Sequence, residues 1–342
     1  MAVESEPRIF ANIGLADANT AGLECVSRLV CYVEGNKGNA NDILMTADGG
    51  RSWAAGAELP MLPSNENWSG LISCQSPLTC MTAYGTGILT TADGFAHATF
   101  QQLVAAPDSV TDASCATAQD CVASILSMSG ASLLMYSHNG GATWTDAQAP
   151  ALPLNAEPEQ LQCDADGACI GVVSGGDEEN ATVAAIGSID GGQSWTVSPF
   201  SSLGSAQWIR FSCGSGQDCV MATNTGGLAW LSMSAAGALN VRIITVPGTT
   251  MSDVYQAVSC PSGPVCYAEV SDWTGFAYAN TILSKTANYG QTWSSLGDEL
   301  VTDMPNASVV YLSCPVNAGC IGIGGNNNQI GTDWLVFSDL QH

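Results

Sequence analysis

Apolar and polar residues alternate along the chain in short runs, and the runs recur in a fixed order around pairs of cysteines. One run leads into the first cysteine of a pair, as in Leu71-Ile-Ser-Cys74, Phe211-Ser-Cys213 and Val310-Tyr-Leu-Ser-Cys314. A second leaves the other cysteine, as in Cys121-Val-Ala-Ser-Ile125 and Cys320-Ile-Gly-Ile323. Alternation with period two predicts strands. Turn formers such as Pro261, Ser262 and Gly263 lie between the cysteines, so each pair of runs reads as a hairpin. A third run follows a glycine-rich or polar link, for example Ile43-Leu-Met-Thr46, Leu133-Leu-Met-Tyr136 and Trp334-Leu-Val-Phe337. Next comes a tight turn: Thr46-Ala-Asp48-Gly-Gly50-Arg-Ser-Trp53 and Ser188-Ile-Asp190-Gly-Gly192-Gln-Ser-Trp195, with Asn139 and Asn288 replacing the aspartate in two further copies. The Asp or Asn side chain binds backbone N–H groups ahead of it, glycine supplies positive φ, and the tryptophan anchors a fourth strand.

The cysteine pairs are Cys25/Cys31, Cys74/Cys80, Cys115/Cys121, Cys163/Cys169, Cys213/Cys219, Cys260/Cys266 and Cys314/Cys320, and they use all 14 cysteines. Their first members are 49, 41, 48, 50, 47 and 54 residues apart. A unit of that length cannot bury its own apolar face, so neighbouring units are expected to stack into one core and residues 1–342 to form one domain. Cysteines opposed across antiparallel strands stand at about 4.5–5.5 Å between Cα atoms, within disulfide reach. Each pair is therefore expected to close a bridge within its own hairpin.

The turn resembles the Asp-box, or BNR repeat, of sialidases, xyloglucanase-type glycoside hydrolases, sortilin-type receptors and photosystem assembly factors of the Ycf48 type. That resemblance implies a propeller in which the box is a structural turn between the third and fourth strands of a blade. Three units depart from it. Thr91-Ala-Asp93-Gly94 runs on to Phe100 with two extra residues, the fifth unit has only Ser232-Met-Ser-Ala-Ala-Gly237, and the seventh stops at Ser338-Asp-Leu-Gln-His342. Residues 7–13 supply a spare strand, and Phe10 lies 15 residues before Cys25 as Phe100 does before Cys115. The expected fold is all-β: a seven-bladed β-propeller of four-stranded antiparallel blades, one disulfide in each, with the N-terminal strand closing the last blade and removing exposed edges.

Charge narrows the partners. Against 31 acids stand seven Lys and Arg, a formal charge of −24. Such a chain repels polyanions, which excludes nucleic acid and anionic membrane surfaces, and no run of about 18 apolar residues is present to span a bilayer. Paired cysteines predict an extracellular or periplasmic location. Met1-Ala-Val-Glu-Ser-Glu has neither a basic nor an apolar segment of a signal peptide, so a mature exported chain with an added start Met is expected. No metal or cofactor is expected. The cysteine spacing is wrong for zinc, and His97, His138 and His342 lie in or near turns or at the terminus.

In propellers one face carries the hairpin and Asp-box turns, leaving the opposite, funnel face to the remaining links, the usual carriers of sites. Those links hold Trp68, Trp208, Tyr255, Trp273, Phe276 and Tyr278. Trp68, Trp208, Tyr255 and Trp273 are the candidate binding residues; as purely structural groups Trp68 and Trp208 would wedge blades or cap the channel. Acids also gather there: Asp108, Asp112, Glu157, Glu159, Asp253, Asp303 and the run Asp177-Glu178-Glu179. A pair of them across the funnel would serve glycoside hydrolysis or bind Ca²⁺. A sialidase would need three convergent arginines, and Arg8, Arg28 and Arg51 fall in the closing strand, a hairpin and an Asp-box. The leading expectation is a non-catalytic binding or scaffold propeller recognising a glycan or a protein segment. The alternative is a glycoside hydrolase or lyase using paired funnel carboxylates. Sequons stand at Asn67, Asn180 and Asn306.

Overall fold

The computed structural model describes residues 8–12, 22–37, 40–59, 71–127, 132–149, 152, 157–175, 182–200, 209–215, 217–223, 227–244, 246, 253–273, 278–295, 307–315, 320–326 and 334–338. Their alternating runs form strands, and the strands form seven four-stranded antiparallel sheets. In blade 1 the strands Gly22–Cys25, Cys31–Lys37, Ala40–Thr46 and Ala54–Glu58 pair in chain order. Blades 2 to 6 repeat this over residues 73–102, 109–146, 157–200, 209–244 and 253–295.

The expectation of a seven-bladed propeller is corrected here, because only six blades are cut from consecutive strands. The seventh repeat makes no blade of its own. It supplies Ala307–Ser313, Ile321–Asn326 and Trp334–Ser338, and the fourth strand of that sheet is Arg8–Asn12 from the other end of the chain. Arg8 stands opposite Ser338 and Ile9 opposite Phe337, antiparallel. The physical gain is a covered edge: Arg8–Asn12 pairs the N–H and C=O groups that Trp334–Ser338 would otherwise expose.

The core lies at the joints between sheets. Blades 1 and 2 enclose Tyr32, Ile43, Tyr84, Leu89 and Phe95. Blades 4 and 5 enclose Ile170, Val172, Phe211 and Met221, and blades 5 and 6 close on Trp230, Val258 and Trp293. The composite sheet packs Ile321 and Ile323 on Leu23 and Val33 of blade 1, and Cys314 and Cys320 on Tyr267 and Leu283 of blade 6.

All seven expected disulfides are formed, each within one sheet: Cys25–Cys31, Cys74–Cys80, Cys115–Cys121, Cys163–Cys169, Cys213–Cys219, Cys260–Cys266 and Cys314–Cys320. The expected spacing is corrected: their Cα atoms are 3.9–4.1 Å apart, closer than a regular opposed pair, because each bridge sits at the neck of a tight loop. Cys80 stands directly opposite Cys74, Cys169 opposite Cys163 and Cys219 opposite Cys213. The sixth bridge differs, since the register there shifts between Ser259 and Ser262 and Cys260–Cys266 spans the irregular stretch.

The acidic turns lock against these loops. Gly49 N donates to Leu29 O at 3.0 Å, Gly140 N to Gln119 O at 2.8 Å and Gly191 N to Gly167 O at 3.1 Å, so disulfides and turns share one face. Within the first turn Asp48 Oδ1 accepts from Ser52 N at 2.9 Å, and Thr46 Oγ1 accepts from Gly50 N at 2.9 Å. The divergent second unit keeps the same bonds. His97 N donates to Asp93 Oδ1 at 2.9 Å, and Phe95, at φ 61°, replaces the second glycine and buries its ring against Tyr32.

Candidate functional site

The first strand of each sheet is innermost, and its period of two decides what faces the axis. Residues one and three positions before the first cysteine share a face. At the first of these levels stand Glu24, Ser73, Ser114, Gln162, Ser212, Ser259 and Ser313, one from each sheet, and all seven line a central cavity of ≈ 180 Å³. They form a ring. Cys115 N donates to Ser73 Oγ (3.2 Å), Cys163 N to Ser114 Oγ (3.1 Å) and Cys213 N to Gln162 Oε1 (2.7 Å). Cys260 N donates to Ser212 Oγ, Cys314 N to Ser259 Oγ and Cys25 N to Ser313 Oγ, each at 2.9 Å. Six of the seven sheets thus lend a side-chain oxygen to the backbone of the next. Glu24 occupies the remaining position. Burial pushes its carboxyl up to about 7.

About 7 Å further along the strands, two residues at the usual rise, is the level of Leu71, Asp112, Gln160, Arg210, Ala257 and Tyr311. Bulges at Val110/Asp112, Pro158/Gln160, Tyr255/Ala257 and Val309/Tyr311 immediately precede it and re-aim these side chains. The Arg210 guanidinium lies 4.8 Å from the centre of the Tyr311 ring, past the small Ala257 of the intervening blade. Asp112 is 1% exposed and accepts from Leu161 N at 2.6 Å, Ala113 N at 2.9 Å and Leu71 N at 3.2 Å, tying three blades together. Burial pushes its carboxyl up to about 7, against the pull of those three amides.

The sequence-predicted residues are placed unevenly. Trp68 and Trp208 lie outside the described residues. For Tyr255 and Trp273 the backbone alone is described, both in blade 6: Tyr255 on the innermost strand opposite Val270, Trp273 at the end of the second strand opposite Tyr278. Phe276, Asp303, residues 177–179 and the sequons at Asn67, Asn180 and Asn306 fall outside. Asp108 accepts from Ser127 Oγ at 2.9 Å. Glu157, Glu159 and Asp253 are on innermost strands of blades 4 and 6.

Cys74, Cys115 and Cys163, on innermost strands, reach the cavity wall. The second members, one strand further out, are buried in the joints between sheets: Cys80 between blades 1 and 2, Cys169 between 3 and 4, Cys219 between 4 and 5, and Cys266 between 5 and 6. These four belong to the core, because the pleat turns their sulfurs into the apolar layer.

Among the described residues no cluster of His, Cys, Asp and Glu could hold a metal, and no helix is long and apolar enough to cross a membrane. Sequence reasoning missed the oxygen ring and Glu24. A signal for it existed: the residue before the first cysteine is Ser in five units, Gln in one and Glu in one.

No family model and no curated protein matches the sequence. Solved structures do. YCF48 bound to D1 peptide is similar with a TM-score of 0.66 at 12% identity, over 100% of this chain and 97% of that one. The Cps50 (Swd1) β-propeller domain of Myceliophteria thermophila is similar at 0.63 and 10% identity, over 98% and 100%. This chain has a β-propeller fold. An ancestral GH74 enzyme is similar at 0.54 and 12% identity over 97% of this chain, which spans 48% of that enzyme. Propellers with different functions thus share this architecture, and the fold alone assigns none of them.

Proposed function

We propose that this propeller is an exported, non-catalytic binding protein that holds an extended protein segment on the face opposite its disulfides. The observation that carries this reading is the state of the channel carboxylates. Glycoside hydrolysis needs two carboxyls facing each other across an open cleft, one as acid and one as base or nucleophile. Among the described residues Glu24 is the one acid lining the cavity, and Asp112 is buried with three amides on its oxygens. Similarity to YCF48, a propeller described as bound to a peptide, supports a protein segment over a glycan. Seven disulfides fit an oxidising compartment, and a charge of −24 favours neutral or basic segments.

The test presents the intact protein to a peptide array, a glycan array and a panel of polysaccharides. Peptide capture is expected, with no sugar released. Alanine at both Trp68 and Trp273 should weaken that capture at least about tenfold, the loss of roughly 1.4 kcal/mol, while the melting temperature stays close to that of the parent. Release of reducing sugar, or binding confined to glycans, would overturn the proposal.

A further inference from the structure

Six of the seven joints around the channel are closed in one way: the first cysteine of a sheet donates its N–H to a side-chain oxygen of the preceding sheet. At the joint between blades 1 and 2 the acceptor position is Glu24 and the donor position Cys74. No hydrogen bond or ion pair joins the Glu24 carboxyl to Cys74 or to another described residue. The ring therefore offers neutral oxygens already holding one N–H each, and a single carboxylate whose oxygens are uncommitted. Serine hydroxyls keep a second lone pair, so the level as a whole is rich in acceptors and carries one negative charge.

That chemistry selects a cation with N–H donors. A divalent metal ion is a poor match, because Ca²⁺ takes six to eight oxygens with several carboxylates among them, and Glu24 is the one carboxylate lining this cavity among the described residues. An ammonium group has three donors and no acceptor, the complement of this ring. One layer deeper, Leu71, Ala257 and Tyr311 give apolar surface at the depth a short alkyl chain would reach. A cavity of ≈ 180 Å³ has room for such a chain, given that one water needs only about 10–15 Å³ on the same measure. Arg210, in that deeper layer, opposes a second positive charge on the ligand.

We propose that the central channel is a binding site for a small primary amine, with its ammonium group on the Glu24 carboxylate inside the oxygen ring and its alkyl chain directed toward Tyr311. The proposal is independent of what the opposite face binds. It is tested by calorimetric titration of the intact protein with n-butylamine at pH 8, where amine and carboxylate are both charged, with tetramethylammonium as the cation that lacks N–H donors. Saturable binding of n-butylamine is expected, with a matching rise in melting temperature. Glu24→Gln, nearly identical in shape, should weaken it at least about tenfold, the effect of losing a charged hydrogen bond. Absence of saturable binding, equal binding by tetramethylammonium, or an unweakened Glu24→Gln variant would each overturn the site. Should Glu24→Gln fail to fold, the comparison of the two cations on the parent protein still decides it.

Discussion

Glu24 and Asp112 are both carboxyls held where water is scarce, and they differ in what meets them. Asp112 receives three backbone amides from three blades and acts as a rivet. Glu24 faces the cavity with no such partner. Burial raises both to about 7, from 4.5 and 3.8 respectively. Between those lower values and about 7 the folded chain binds protons that the unfolded chain has released, so the stabilisation is complete at acid pH and is lost as pH rises through 7. Melting temperature should therefore fall between pH 5 and pH 8, and Glu24→Gln should flatten part of that slope. Comparing the two slopes by scanning calorimetry separates Glu24 from the general repulsion of a chain carrying −24 charges; equal slopes in parent and variant would refute its raised pKa.

At the scale of strands and turns, what the sequence made legible was local. Cysteines six apart with turn formers between them can form only a closed hairpin, and Asp-Gly-Gly with Ser or Thr and Trp behind it carries its own hydrogen-bond pattern. The second turn was harder to read because its determinants are spread. His97 takes the serine's role and Phe95 the glycine's, a left-handed φ tolerated because its ring fills the joint between blades 1 and 2. The oxygen ring and the bulges could not be read at all from one repeat. A serine before a cysteine acquires meaning only when the next sheet, some 50 residues on, brings its N–H to it. The turns also differ in what they touch. At Gly192, φ is +87° and a Cβ would lie 2.3 Å from Val122 Cγ1 of the neighbouring blade, whereas at Gly167, φ +80°, the nearest atom is Gly191 N at 3.8 Å. Val122 is β-branched and buried, so it cannot swing away. Gly192→Ala should cost roughly 1–3 kcal/mol beyond Gly167→Ala, the range for an overpacked core. Urea unfolding of the two variants checks this, and equal midpoints would mean that the joint between blades 3 and 4 yields.

Across the whole molecule, stability depends on a ring in which each sheet buries its faces against two neighbours, and six of the seven lend a side-chain oxygen to the next. Such a structure closes on itself through its first and last described strands. They meet in the composite sheet, where Arg8–Asn12 covers the edge of Trp334–Ser338. The hydrogen bond from Cys25 N to Ser313 Oγ and the packing of Ile321 and Ile323 on Leu23 and Val33 close the same joint from inside. Two sets of contacts therefore hold the ends: the outer one is a ladder between strands far apart in sequence, and the inner one is a core cluster with a buried hydrogen bond. Deleting residues 1–13 removes the outer set alone. It leaves Trp334–Ser338 as an open edge of unpaired N–H and C=O groups, a template for another chain. The truncated protein should melt at a lower temperature and over a broader range, because sheets near the opened joint come away before the rest, as in linear arrays with nearest-neighbour coupling. It should also self-associate as concentration rises, which light scattering would detect. A truncation that melts as sharply and as high as the parent and stays monomeric would show that the inner contacts close the ring by themselves.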